Sequence, residues 1–205
     1  SNYSTDLLSP LLDKVQSLAG HDEENRQKFI TPYRVLADHS RASTFLIADG
    51  VIPGNTGRNY VCRMIVRRAA RFGSKIGLNG PFMAKLAQVV IDHYGEAYPE
   101  LRRNQKAILD HLNREEERFQ RTVDSGIKYL NECLETMMQK GDTVLDGHTA
   151  FDLYATHGLP LELTRDIIRE QGFDVDEKGF RAAMEEHRLA SGSGKAFGPM
   201  GGEDV

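Results

Sequence analysis

The sequence predicts an all-α fold, an irregular helical bundle with one long helix and a flexible C-terminal tail rich in glycine and serine. Apolar residues recur every three or four positions along nearly every segment, which is the period of an α-helix. No segment shows the convincing alternation of apolar and polar residues that a half-buried strand has. We therefore expect residues 1–190 to form a helical domain and residues 191–205 to be a flexible linker.

The first clear helix signal is Thr31 followed by Pro32, an N-cap residue with proline at the first helical position. We expect this helix to end at Gly50. Its apolar stripe consists of Val35, Leu36, His39, Ala42, Leu46 and Ile47. We interpret His39 as a hydrogen-bonded core residue, because no second histidine or cysteine stands at metal-ligand spacing.

The segment between Asp49 and Asp92 contains no acidic residue and concentrates positive charge. Its seven basic residues are Arg58, Arg63, Arg67, Arg68, Arg71, Lys75 and Lys85. The whole chain has a formal net charge of −4, so the remainder without these seven would carry −11 (−4 minus 7). A local basic surface on an acidic protein is typical of a site for a polyanion.

A tight turn precedes the helix that carries most of this charge, predicted at 58–72. The turn contains Pro53, Gly54 and Gly57 and presents Asn55 and Arg58 at the N-terminal end of the helix. One helix face is apolar and holds Val61, Ile65, Ala69 and Phe72. Another face, which we expect to be free for phosphates, holds Arg63, Arg67 and Arg71, with Arg68 beside them. The alternative is that acids elsewhere, such as those of 115–117, neutralise this face internally.

A further helix is predicted at 81–94, followed by the longest helical stretch, from Pro99 to about Lys140. Gly126 is expected to kink or divide this stretch, because glycine inside a helix costs roughly 1 kcal/mol relative to alanine. Its polar face is interpreted as solvated and holds Arg114, Glu115, Glu116, Glu117, Arg118 and Arg121.

Shorter helices are expected after Gly141, at 149–156, 161–171 and 177–189. Thr149 and Asp152 resemble a capping box, which gives Asp152 a structural interpretation.

The sequence contains no recognisable catalytic constellation or metal-ligand motif. GxSxG and HExxH are both absent, and no two histidines stand four residues apart. Cys62 and Cys133 lie in helical apolar patterns, so we expect two small core residues rather than a disulfide. There is no apolar run long enough to span a bilayer and no secretory pattern at the first residues, so a cytoplasmic protein is expected.

Several stretches resemble the middle region of the alanyl-tRNA synthetase family. They are YRVLADHSRASTFLIADGVIPGNTGRNYVCRMIVRRAARFG, AFDLYATHGLPLELT and VDEKGFRAAMEEHR, with GEAYPEL and EEERF between them. The opening NYSTDLL resembles the family segment just downstream of the third class II signature motif. The resemblance therefore implies a helical domain that recognises the tRNA(Ala) acceptor stem and lies between the catalytic and editing domains of one polypeptide.

The resemblance also implies which residues contact RNA. Asn55 matches the family asparagine that contacts the G·U wobble pair, although asparagine is also common in turns for purely structural reasons. Ala155 stands where the family usually has an aspartate, a second reader of that pair. Asp152 is either a substitute reader or a plain helix cap. The full set of expected RNA-binding positions is Asn55, Arg58, Arg63, Arg67, Arg68, Arg71, Lys75, Asp152 and Ala155.

For the full-length enzyme the resemblance implies ATP-dependent attachment of alanine to tRNA, with ATP, Mg and Zn as cofactors. The class II motifs and the editing domain's zinc ligands are expected outside this chain, so the isolated chain is expected to be non-catalytic and to hold no cofactor. The alternative from another class is a helical protein-interaction module whose basic face docks on an acidic protein surface.

Overall fold

A computed structural model describes residues 7–190 of the chain. These residues form helices α1 (Ser9–Ala19), α2 (Glu23–Lys28), α3 (Ile30–Ala48), α4 (Gly57–Lys75), α5 (Met83–Tyr94), α6 (Pro99–Arg103), α7 (Gln105–Lys140), α8 (Gly147–Ala155), α9 (Leu161–Arg169) and α10 (Glu177–Ala190). Two short strands are present as well, β1 (Val144–Leu145) and β2 (Asp174–Val175). The predicted all-α class is confirmed, and the predicted tail at 191–205 lies outside the described residues.

The described residues cluster into two compact units, 7–117 and 118–190, and α7 contributes to both. In the N-terminal unit the core is formed by α1 and α3–α6 together with the first turns of α7. In the C-terminal unit β1 pairs with β2 in parallel, with Val144 opposite Asp174 and Leu145 opposite Val175. Two-residue strands are too short to produce the alternation on which a sequence-based strand prediction depends.

Helix α3 differs from its prediction in its start and its buried face. It begins at Ile30 after the N-cap residue Phe29, so the predicted Thr31 cap is wrong. Its buried residues are Tyr33, Leu36, Ala37, Ser40, Ser43, Thr44, Ile47 and Ala48, whereas His39 is only half-buried. The hydroxyl of Ser40 donates to the carbonyl oxygen of Leu36 at 2.6 Å. Small hydroxyl side chains can be buried when they bond back to their own helix. The buried face of α3 therefore includes serine and threonine side chains and shares only Leu36 and Ile47 with the predicted apolar stripe.

The long helical stretch is divided at Asn104 rather than at Gly126. The side-chain amide of Asn104 donates to the carbonyl oxygen of Ala48 at 2.9 Å, and α7 begins at the next residue. Gly126 lies inside α7 without ending it. A Cβ there would lie 3.4 Å from the Cβ atoms of His157 and Leu159, so the glycine lets α7 pack closely against that segment.

Helix α8 is capped differently from its prediction. Asp146 is the N-cap residue, and its carboxylate accepts a hydrogen bond from the backbone N–H of Thr149 at 3.1 Å. The helix therefore begins two residues earlier than predicted, at Gly147. The interpretation of Thr149 and Asp152 as a capping box is wrong, because Asp146 already satisfies the free N–H group at this end.

Candidate nucleic-acid interface

The turn before α4 holds Asn55 at an exposed position. The backbone N–H of Gly54 donates to the carbonyl oxygen of Asn59 at 2.9 Å and closes the turn. Gly57 has a φ of 53°, a left-handed conformation that glycine reaches without steric cost. Between them, the Oδ1 atom of Asn55 accepts a hydrogen bond from Nη1 of Arg63. The turn and the helix thus hold both the backbone and the side-chain amide of Asn55.

Helix α4 buries only part of the apolar face that its sequence predicts, since Ala69 and Phe72 of that face are buried. Val61, assigned to the packed face, is 53% exposed. The buried residues of the helix are Cys62, Val66, Arg67, Ala69, Ala70, Arg71, Phe72 and Gly73. Arg67 and Arg71 are only 7% and 9% exposed. The expectation that the arginine face is free for phosphates is therefore wrong for these two side chains.

Glu115 of α7 neutralises the charge of Arg63 and Arg67 on α4. Its side chain is 4% exposed, and its Oε1 atom lies 2.7 Å from Nε of Arg67 and 3.2 Å from Nε of Arg63. A protein tolerates buried charges when they are paired and hydrogen-bonded. The alternative of internal neutralisation is confirmed for Arg63 and Arg67, and the interpretation of Glu115 as a solvated residue is wrong.

Glu116, also predicted to be solvated, is completely buried and caps a distant helix. Its Oε2 atom accepts hydrogen bonds at 3.0 Å from the backbone N–H groups of Phe82 and Met83, at the start of α5. The N-cap residue Phe82 provides no side-chain cap of its own. Burial raises the pKa of Glu116 to about 7, although both hydrogen bonds act to lower it. Its role is structural, within the N-terminal unit.

The sequence does contain a signal for these two buried carboxylates. Glu115 and Glu116 stand three and four residues after Leu112, and four and three residues before Phe119, respectively. Leu112 and Phe119 are both buried. Positions at this spacing share one helix face, so the two acids occupy the apolar stripe of α7 and not its polar face.

Three of the basic residues predicted to contact RNA have exposed side chains, namely Arg58, Arg68 and Lys75. The guanidinium carbon of Arg68 lies 5.9 Å from the centre of the Phe72 ring, and the ammonium of Lys75 lies 5.0 Å from it. Cation–π attraction to one ring therefore helps to place both cations. Fewer basic side chains are exposed than the sequence predicts, because Arg67 and Arg71 are buried and Arg63 is half-buried.

Asp152 and Ala155, the other predicted contact residues, belong to the C-terminal unit and are exposed on α8. Because Asp146 caps that helix, Asp152 is a surface carboxylate without the predicted capping role. Just after α8 the ring of His157 stacks on Tyr129 of α7, with centroids 4.9 Å apart and 21° between the planes. Tyr129 is not among the residues predicted to contact RNA.

Among residues 7–190 no three histidine, cysteine or acidic side chains come together in a way that would hold a metal ion. In the same range no helix has the length and apolar character of a membrane span. Cys62 is buried and Cys133 is half-buried, and both are free thiols.

Residues 1–200 match the family model described as tRNA synthetases class II (A). The chain therefore belongs to the class II tRNA synthetase family. Similar curated proteins include the alanine–tRNA ligases of Roseiflexus sp. (strain RS-1), 47% identical over 92% of this chain, and of Chloroflexus aurantiacus (strain ATCC 29366 / DSM 635 / J-10-fl), 45% identical over 99% of it. The alanine–tRNA ligase of Desulfitobacterium hafniense (strain Y51) is 42% identical over 92% of this chain. The chain spans 21%, 23% and 22% of the lengths of these relatives, respectively.

Proposed function

We propose that this chain is the part of an alanine–tRNA ligase that binds the acceptor stem of tRNA(Ala) and helps to read its G·U wobble pair. The observation that carries the proposal is Asn55, an exposed amide held in a closed turn at the start of a helix with exposed cations. In the whole enzyme it would support ATP-dependent attachment of alanine to tRNA in the cytoplasm. ATP, Mg and Zn would be bound by other domains of the same polypeptide.

The chemistry of A-form RNA suits this arrangement. Its wide, shallow minor groove displays base edges and 2′-hydroxyls, and phosphates border that groove. A side-chain amide can donate to or accept from a base edge. Arg58, Arg68 and Lys75 supply charges for the phosphates, which fix affinity and register rather than sequence.

Asp152 is proposed as a second contact in the C-terminal unit. It stands three residues before Ala155, and residues at that spacing lie on the same helix face. With Asp146 acting as the cap, the exposed Asp152 carboxylate has no competing structural role at the helix start. An aspartate could accept a hydrogen bond from the exocyclic amino group of a guanine, which lies in the minor groove.

Binding to acceptor-stem hairpins that carry G·U or G·C at the wobble position tests the proposal. Arg68→Ala is expected to weaken both hairpins and to reduce the salt slope by about one, because it removes one phosphate contact. Asn55→Ala is expected to reduce the preference for G·U while leaving the slope unchanged. Lys106→Ala is the matched control, since Lys106 is a 90% exposed cation outside the basic segment.

Two results would contradict the proposal. Equal affinity for the two hairpins in the wild type would remove the wobble-pair role and leave only phosphate binding. Weak binding that does not respond to salt would favour the alternative of a basic docking face for an acidic protein, because counterion release makes RNA binding steeply salt-dependent.

A further inference from the structure

We propose that Arg63 is a positioning residue for Asn55, that buried Glu115 fixes Arg63 in turn, and that Asn55 consequently presents its N–H donors to the RNA. This inference rests on the proposed function, because it assigns roles within the same RNA-reading site. It differs from the sequence-based expectation, in which Arg63 contacts a phosphate directly.

The contacts run from the interior to the surface through one guanidinium group. Glu115 is 4% exposed and is anchored by Arg67 at 2.7 Å. Arg63, whose side chain is 13% exposed, has its Nε atom 3.2 Å from the same carboxylate oxygen. Its Nη1 atom donates to Oδ1 of the exposed Asn55. The contact with Glu115 is an ion pair rather than a hydrogen bond of Nε. Glu115 therefore holds Arg63 by charge, and the rigid guanidinium plane directs Nη1 toward Asn55.

This contact decides which end of the Asn55 amide faces the ligand. An asparagine amide carries an acceptor oxygen and a donor nitrogen, and a rotation of 180° exchanges them. A guanidinium has donors only, so Arg63 selects the orientation with Oδ1 toward itself. The Nδ2 donors of Asn55 then point away from Arg63. An amide in this orientation recognises minor-groove acceptors, such as pyrimidine O2 or purine N3.

The role assigned to Arg63 predicts a specific effect of Arg63→Lys. Lysine keeps a positive charge near Glu115 but lacks the fork that reaches two partners. We expect the preference for the G·U hairpin to fall about two- to tenfold, the range for one net hydrogen bond, with no change in the salt slope. Arg114→Lys is the control, since Arg114 is an exposed arginine beside Glu115 and outside the proposed interface.

A double-mutant cycle separates positioning from direct contact. If Arg63 acts through Asn55, Arg63→Lys has no further effect on the hairpin preference in the Asn55→Ala background. An equal loss in both backgrounds would mean that Arg63 contacts the RNA itself, and no loss in either would mean that it contributes nothing. Both of these results overturn the positioning role while leaving the Asn55 contact intact. A wild type without any preference for G·U overturns the proposed wobble reading and the positioning role together.

An RNA-free measurement keeps the inference testable in a weakly folded or weakly binding variant. In protein labelled with ¹⁵N-asparagine, the side-chain amide of Asn55 should be ordered in the wild type and mobile in Arg63→Lys. An amide that is already mobile in the wild type would overturn the proposal.

Discussion

The most direct test of the internal electrostatics is Glu116→Gln. Glu116 is completely buried and accepts hydrogen bonds from the backbone N–H groups of Phe82 and Met83. Glutamine keeps an acceptor oxygen and nearly the same shape, but it does not titrate. The substitution therefore removes the charge of the carboxylate while preserving the possibility of a cap on α5.

The expected magnitude follows from the pKa of Glu116, which is about 7 in the folded chain against an ordinary value of 4.5. The folded state binds the proton more tightly, so the contribution to the free energy of unfolding is fully present below pH 4.5 and is lost as the pH rises through 7. At about 1.4 kcal/mol per pKa unit, the loss amounts to about 3 kcal/mol. Between pH 4.5 and pH 8 the free energy of unfolding of the wild type should therefore fall by about that amount relative to that of Glu116→Gln.

Urea unfolding followed by helical circular dichroism at several pH values measures this difference. Other titrating groups contribute equally to both proteins and cancel in the subtraction. Glu116→Ala serves as the control for the cap, because it leaves two buried N–H groups unpaired at a cost of about 1–3 kcal/mol each at every pH. A difference between wild type and Glu116→Gln that stays constant with pH, or shifts toward the wild type, would refute the reasoning.

Other substitutions separate structural residues from surface residues. Arg67→Ala should lower the free energy of unfolding by about 3 kcal/mol, because it leaves Glu115 buried with one arginine fewer; a loss below about 1 kcal/mol in urea unfolding would contradict this. Asp146→Ala should lower the free energy of unfolding by about 1 kcal/mol, because it removes a helix cap. Asp152→Ala should change that free energy by less than about 0.5 kcal/mol. Equal melting temperatures for the two variants would contradict the assignment of Asp146 as the cap of α8. Burial, followed by the nearby Glu115 charge, raises the pKa of Cys62 to about 12, so its thiol should resist a disulfide reagent at pH 8 until the chain unfolds. Rapid labelling of Cys62 in native buffer would contradict that burial.

The helical class was predictable because a buried stripe leaves a 3.6-residue period in the sequence. The ends of the helices were less so, because distant contacts set them. The long stretch is divided at Asn104, whose side chain bonds to Ala48, 56 residues away along the chain. The cap of α5 comes from Glu116, which lies more than thirty residues from Phe82 and Met83. Periodicity within one helix contains no information on such partners.

The residue types of the candidate site were predictable from the sequence. Which of its arginines are exposed and which are buried was not. The run of arginines on α4 marked a basic region, and its exposed members fit that prediction. Arg67 and Arg71 are instead buried. For Arg67 the reason is Glu115, which stands on the apolar stripe of α7 and offers a carboxylate to α4. Charge spacing alone cannot separate an arginine that faces a phosphate from one that faces a buried glutamate.

The hydrogen bond between Asn104 and Ala48 connects the end of α3 to the residue just before α7. Ala48 is the last residue of α3, shortly before the turn that holds Asn55, and Asn104 immediately precedes the helix that carries Glu115. A shorter peptide spanning only the turn and α4 would keep every letter of the basic motif. It would have neither the carboxylate that anchors Arg63 nor the tie that brings that carboxylate's helix to the end of α3. The basic motif is contiguous in the sequence, but the contacts that hold it join segments more than fifty residues apart.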